Sequence, residues 1–556
     1  MSFSSSFSYL FRKYPVFRTF LLTLLIAIII GVITIVSIQS TKNPVITTIK
    51  PDVGEPGDVL TLIGDHFGTK NTENFVEIGG SRLTSSSYLS WTNNEIKVLL
   101  PHNVLDGLVY VSTSSGKSNP KIFANKSAIP VPAQIDPLTT IPEITKVSPS
   151  TVTTGSIITI TGRNFGTLRG SSQVYFATND IDTSGQPLFI TGSDFDSDYQ
   201  YWSEMEIQVR VPDGASSGNL FVSTTLGSSN KKSYSLSTSL GSKSYSDKRT
   251  YLISESAQIS DMGSQGEGTL TLFVPLPQTN GWQRNLEIVK STREPSIPRY
   301  MNTIVHQTSL QEAVDKLSIS HDFVISVWAV QSNIQSRNVK SYSTFTKNLY
   351  NQYVKSDSII VSDNEKIISL ASSIVNKEKN PYLQAQMIFS YVIQNIELLT
   401  DISTSELDID FILDEKKADA YEMTILTVAL MRAVGIPTLP VGGILVDADM
   451  KSQNHWWLEF YLEDLGWIPS DPALGSGMEY KAFQDKTNKS TWYFGNLDAQ
   501  HIAFSRGWNN IKPAHITSQK VYRPKTFALQ SIWEEATIEK LNYSSLWNNP
   551  IVIGVY

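Results

Sequence analysis

Two short strands and one helix hold the residues best placed to do chemistry. HWWLEFYL (455–462) alternates, so His455, Trp457, Glu459 and Tyr461 share one face, and Trp456, Leu458, Phe460 and Leu462 the other, core face. The turn EDLG leads into WIPSDP, and folding this back as a hairpin brings Asp471 within roughly three residues of lying opposite His455. A histidine oriented by an aspartate, facing the start of a buried helix, is the arrangement of a nucleophile–base–orienter site. The helix itself is KKADAYEMTILTVALMRAVGIP (416–437). Asp419 is placed to cap it, while Gly435 and Pro437 stop it. Its polar residues Glu422, Thr424, Thr427 and Arg432 share no face, so it belongs inside a core. Unpaired N–H groups and the positive dipole end of its first turn would favour an anion, and a cysteine there would ionise readily. The residue at that point is Ala420. The chain has no cysteine anywhere, which excludes disulfides, thiolate metal sites and any thiol nucleophile.

The segment from Ala420 through H-W-W-L-E-F-Y to G-W-I-P-S-D-P resembles the transglutaminase-like superfamily of papain-type folds. That resemblance implies a catalytic cysteine at position 420, with His455 and Asp471 as the other two triad members. It extends over about 250–508, where YFGNLDAQHIAFSRG (493–507) is similar to the segment that follows the triad aspartate. The family's acyl chemistry runs through sulfur, and a methyl group cannot attack a carbonyl. Loss of a triad nucleophile costs on the order of 10⁶ in rate. Tyr421 points about 100° away around the helix and Thr424 lies a turn deeper, so neither replaces it. Three readings of the remaining dyad stay open: a satisfied polar pair, a cleft that grips a ligand without cutting it, or His455 activating water directly. Trp457, Glu459 and Trp467 are the candidate cleft residues. No cofactor is expected, His501 is read as structural, and the five other histidines lack metal-ligand spacing.

These parts sit at the end of a multidomain chain of 556 residues. PDVGEPGDVLTLIGDHFGT (51–69) aligns without gaps on PSTVTTGSIITITGRNFGT (149–167), and later segments repeat too: YLSWTNNEIKVLLP on YQYWSEMEIQVRVP. Short alternating runs cut by Gly, Pro and Asn read as small all-β sandwiches. The shared P-x(5)-G-x(6)-G-x-x-F-G skeleton resembles the IPT/TIG family of immunoglobulin-like domains, which implies spacer or binding modules. The second copy carries an extra segment around 179–197, and GSDFDSDYQ spaces Asp194, Asp196 and Asp198 as a calcium loop would. Tyr199 stands where an EF-hand needs glycine, so a solvated acidic loop is the default.

The fold class expected is therefore an N-terminal transmembrane helix, all-β immunoglobulin-like sandwiches, and an α+β papain-like transglutaminase-type domain. The divisions are a cytoplasmic 1–19, a membrane span 20–38, sandwiches at 43–125 and 141–236, and a Pro-rich linker 126–140 between them. A flexible Ser-rich linker 237–249, a third sandwich 250–360, the transglutaminase-like domain 361–515 and an extension 516–556 follow. In the last domain Asp363 and Asn380 are the expected helix caps. FLLTLLIAIIIGVITIVSI (20–38) carries no charge and follows Arg12, Lys13 and Arg18, which places an uncleaved single-pass anchor in the plasma membrane and the bulk of the chain outside the cytoplasm. A cleaved signal is the alternative. Net charge of −7 without a basic run excludes a nucleic-acid surface. Function is expected to be binding or scaffolding of a peptide, protein or cell-wall ligand by an inactive domain. Cysteine-independent hydrolysis or acyl transfer, or a purely structural adhesin, are the alternatives.

Overall fold

Each repeat folds as a four-stranded sheet facing a six-stranded one, with the same strand order in both copies. The skeleton glycines explain themselves locally. A Cβ on Gly64 would stand 1.9 Å from the Val45 carbonyl oxygen, and one on Gly162 2.0 Å from that of Glu143. Both lie where the first strand of the repeat slips register against its neighbour, so the backbones touch there. Gly57 and Gly155 hold positive φ at turns. The structure, a computed structural model, describes residues 42–101, 104–125, 141–181, 185–264, 269–309, 316–403, 406–508, 520–522, 525–529, 532–536 and 541–556, with positions 19, 23, 24 and 26–28.

The expected span 20–38 and the linker 126–140 lie almost wholly outside those residues. Among the described residues no helix is long and apolar enough to cross a membrane. That finding overturns the single-pass plasma-membrane placement read from the apolar run.

The stretch 237–249, expected as a flexible linker, is mostly ladder. A strand runs from Gly241 to Ser264 and pairs along its length with Lys316–Ile334. Ser242, Ser244 and Ser246 take exposed positions of the ladder while Lys243 turns inward to Asp213 and the Trp467 carbonyl, a pattern that composition alone reads as loop. Two sheets form this middle sandwich, and strands near the chain's end complete both. Trp533–Ala536 joins Thr269–Pro275 in one; Leu541–Trp547 and Ile551–Val555 join Gly241–Ser264 in the other. The described strands of the expected extension 516–556 are thus part of the sandwich, and the helix-and-sheet domain is inserted within it.

That inserted domain starts with helices Glu365–Val375 and Pro381–Asn395. Asn364, one residue after the expected Asp363, caps the first by accepting from the Lys366 and Ile367 amides; Asn380 caps the second, with Pro381 in its first turn. Helix Ala420–Ala433 is buried all round except at Ala433 and lies against a sheet ordered Gly466–Ser470, Ser452–Leu462, Thr438–Val446, His501–Arg506. Trp456, Leu458, Phe460 and Leu462 pack with the helix in one core. The other face of that strand is equally covered: Trp457 and Tyr461 pack with Tyr251, Ile325 and Val327 of the sandwich.

The second repeat docks here. Asp196 accepts from Trp467 Nε1 at 2.8 Å, Asp213 accepts from the Trp467 amide at 3.0 Å, and Arg210 donates to the Tyr461 hydroxyl. The GSDFDSDYQ loop, expected to be solvated, is therefore a contact loop. Asp194 pairs with Arg169 and Asp198 is buried, its carboxyl held protonated well above the usual range by burial and by Asp196. The first repeat meets the sandwich elsewhere, through Lys117 3.8 Å from Glu535.

Candidate active site without a nucleophile

The helix that presents Ala420 begins in a capping box. Asp419 accepts from the Glu422 amide at 2.8 Å and Glu422 accepts from the Asp419 amide at 3.2 Å. Lys525 lies across this end, 2.9 Å from Glu422 and 3.5 Å from Asp419. Ala420 is 4% exposed and lines a cleft of about 1040 Å³. Gln394, Asn395, Gln453 and Asn454 contribute amides to its wall, and Leu399, Ile402 and Met478 contribute apolar surface. Among the described residues no strand pairs the outer edge of Ser452–Asn454, because Gly466–Ser470 reaches only Leu458.

Thr424 is no substitute nucleophile: its hydroxyl is fully buried and donates to the carbonyls of Ala420, at 2.9 Å, and Trp456, at 3.1 Å. Tyr421 packs edge-on against Trp456.

His455 and Asp471 come together. The pairing Leu458↔Ser470 sets Asp471 beside Trp457, and His455 Nε2 lies 2.6 Å from Asp471 Oδ2. Both are fully enclosed. Asp471 Oδ1 accepts from the Leu474 amide at 2.9 Å, fixing the carboxylate at the start of a short helical turn. His455 Nδ1 has no hydrogen-bond partner among the described residues.

The network continues past the dyad. His501, expected to be structural, lies 3.0 Å from Asp471 through Nε2 and 2.9 Å from Asp498 through Nδ1. Tyr480 and Tyr493 both donate to Asp498. Burial opposes charge on His501, but the Asp498 and Asp471 carboxylates prevail and push its pKa up to about 9. Burial likewise disfavours the Asp471 carboxylate, and the His455 and His501 rings outweigh it, holding that group well below its usual value. Asp498 is held low in the same way, chiefly by His501. Local spacing carried one signal for this extension, the i, i+3 pair Asp498–His501 in DAQH; nothing local points to Tyr480.

One nitrogen each of His455 and His501 and one oxygen of Asp471 lie within 4.8 Å of one another, close enough to hold a metal ion. Their chemistry fits a proton network better. A doubly donating His501 between two carboxylates has no lone pair to give.

Trp457, Glu459 and Trp467 do not line the cleft, which corrects the expectation for them. Glu459 is buried, accepts from Trp282 Nε1 at 3.0 Å and pairs with Arg506 at 2.6 Å. Trp457 is enclosed by the sandwich and Trp467 by the second repeat. All three sit on the strand face turned from the helix, because the sandwich covers the side that alternation alone leaves open.

A transglutaminase-like superfamily model matches residues 368–472, and an IPT/TIG domain model matches 44–127 and 142–251. The chain carries a transglutaminase-like core after two IPT/TIG domains. It is 26% identical over 182 residues to an uncharacterized protein of Haemophilus influenzae, covering 28% of this chain and 47% of that one. It is 31% identical over 84 residues to a cyclomaltodextrin glucanotransferase of Paenibacillus macerans, covering 15% and 12%. The chain thus spans less than half the length of these relatives. Among solved structures, a putative cysteine protease from Cytophaga hutchinsonii gives a TM-score of 0.37 at 15% identity, covering 56% of this chain and 92% of that one. The periplasmic domain of TgpA from Pseudomonas aeruginosa gives 0.24 at 14%, covering 43% and 88%. With no cysteine in the chain, this transglutaminase-like core lacks the thiol on which the family's acyl chemistry depends.

Proposed function

We propose that the transglutaminase-like domain is a binding or scaffolding module that holds a peptide-like or cell-wall-derived ligand without cleaving it. The observation that carries this reading is the Ala420 methyl on the wall of a roomy cleft that also presents several side-chain amides, in a fold that keeps the His455–Asp471 pair at 2.6 Å. Amide side chains and an unpaired strand edge offer the donors and acceptors that an extended chain of amides can match. The complete enclosure of His455 and Asp471 weighs against direct activation of water.

Restoring sulfur tests the proposal. Ala420→Cys is expected to react with iodoacetamide faster than a free thiol near neutral pH, while the unaltered chain forms no adduct with acyl donors. A restored thiol that is unreactive overturns the idea of an intact, disarmed cleft. An acyl adduct on any side chain of the unaltered protein overturns the non-catalytic reading.

A further inference from the structure

We infer that the outward face of the six-stranded sheet in the second repeat is a binding site for an uncharged oligosaccharide, seated on Tyr175, Phe189 and Phe221. The face shares no residue with the Ala420 cleft and needs no assumption about it. Strands Pro187–Thr191, Gln173–Ile181 and Gly218–Thr224 lie side by side in that sheet. Val174, Phe176, Leu220, Val222 and Ile190 belong to the core of the repeat, so alternation turns Tyr175, Phe221 and Phe189 to the other side. All three rings remain partly exposed there. Tyr175 and Phe221 are direct cross-strand partners, with parallel rings 4.7 Å apart. Phe189 lies 5.0 Å from Phe221 at 79° to it, so the trio shows ring surface in two directions. The strand that brings Phe189 belongs to the segment by which the second repeat exceeds the first.

The first repeat uses the same face differently. Its register pairs Glu77 with Tyr110 where the second pairs Tyr175 with Phe221, and it has Lys117 where the second has Ser228. There Tyr110 is covered, and Lys117 reaches Glu535 of the middle sandwich. Contact with protein thus goes with charge on this face. The second repeat replaces both charges, one by a ring and one by a hydroxyl, and leaves the rings uncovered. The outward positions that flank them, among them Gln173, Asn219 and Ser223, are uncharged. Lys231 sets its ammonium over the rings themselves, 5.0 Å from Phe189 and 5.9 Å from Phe221.

An uncharged pyranose matches that surface. The flat side of the sugar carries C–H groups of partial positive charge, which the negative face of an aromatic ring attracts. Its rim carries hydroxyls that need neutral donors and acceptors, and amides and hydroxyls surround the rings. Gln173 Oε1 accepts from the Tyr199 hydroxyl at 2.6 Å, which fixes that side chain and leaves its N–H groups to donate. The rings already hold one another, so little order is lost on binding. Clustered apolar surface of this kind is kept on a folded protein where something binds.

The test probes an array of uncharged and anionic oligosaccharides with the labelled full chain. Binding to one or more of the uncharged glycans is expected. Titration calorimetry with the strongest of them should show Phe221→Ala weakening binding by roughly tenfold or more. Phe221→Tyr, which copies Tyr110 of the first repeat, should retain it. Tyr175→Glu, which copies Glu77, should abolish binding at unchanged Tm and keeps the test usable if Phe221→Ala does not fold. Asn454→Ala, on the wall of the Ala420 cleft, should leave the affinity unchanged. An array without signal from uncharged glycans overturns the inference, as does affinity that survives both Phe221→Ala and Tyr175→Glu or is lost in Asn454→Ala alone. Self-association of the chain that Tyr175→Glu abolishes would give the face to a second copy, and overturns it too.

Discussion

The inserted domain and the middle sandwich each bury a pair of histidines, and they settle the electrostatics in opposite ways. Around Asp471 two carboxylates share a line with two rings, contacts fall between 2.6 and 3.0 Å, and charge is retained in the interior. Around His306 and His321 burial wins and lowers both pKa values to about 4; the rings bond each other and Ser291, and His306 Nδ1 has no partner among the described residues. All four rings are almost wholly shielded from solvent. What differs is whether an anion lies close enough, in hydrogen-bonding geometry, to repay desolvation.

The largest test of that contrast is to remove one carboxylate from each. Asp471→Asn keeps an oxygen for the Leu474 amide but sets an uncharged NH₂ against His455 and His501 in place of the carboxylate oxygen, so urea unfolding should show a loss of about 3–5 kcal/mol. Glu255→Leu removes a buried carboxyl group whose oxygens have no partner among the described residues, and the same measurement should change by less than about 1 kcal/mol, or rise.

Stability against pH sharpens the contrast next. His501 titrates near 9 when folded against 6.5 when unfolded. Its contribution is complete below about 6.5 and is lost as pH rises through 9. His306 and His321 titrate near 4 when folded, so their environment is intact above 6.5 and stability falls as pH drops from there toward 4. His501→Gln should flatten the alkaline limb of a Tm–pH curve, and His306→Asn the acid limb. Exchange of those two outcomes would refute the assignment of charge.

The smallest effect concerns the docked second repeat. Asp196→Ala leaves Trp467 Nε1 without its acceptor and should weaken docking by about 1–2 kcal/mol. Calorimetry should then resolve a lower-temperature shoulder for the second repeat.

Much of the molecule was legible where its signals are local. The skeleton glycines mark real close approaches, the alternation in HWWLEFYL separates two real faces, and Asp419 and Asn380 cap the helices they precede. The errors share a cause. Ser242 and Lys243 look like linker residues because their ladder partners lie ninety positions away, and Trp467 looks available because its cover comes from another domain. His306 and His321 belong to different sheets, so no window of sequence contains their meeting. The alternation in HWWLEFYL could not say that both faces of the strand would be covered.

The insertion described above also has a temporal side. Thr250 and Tyr556 exchange both backbone hydrogen bonds at 2.8 Å, so a strand made early waits for one made some three hundred residues later. Closing so long a loop is slow, and a growing chain must hold that edge unpaired throughout. The transglutaminase-like domain, complete before the last strands emerge, is available to fold first on the ribosome and to bring the two distant ends within reach.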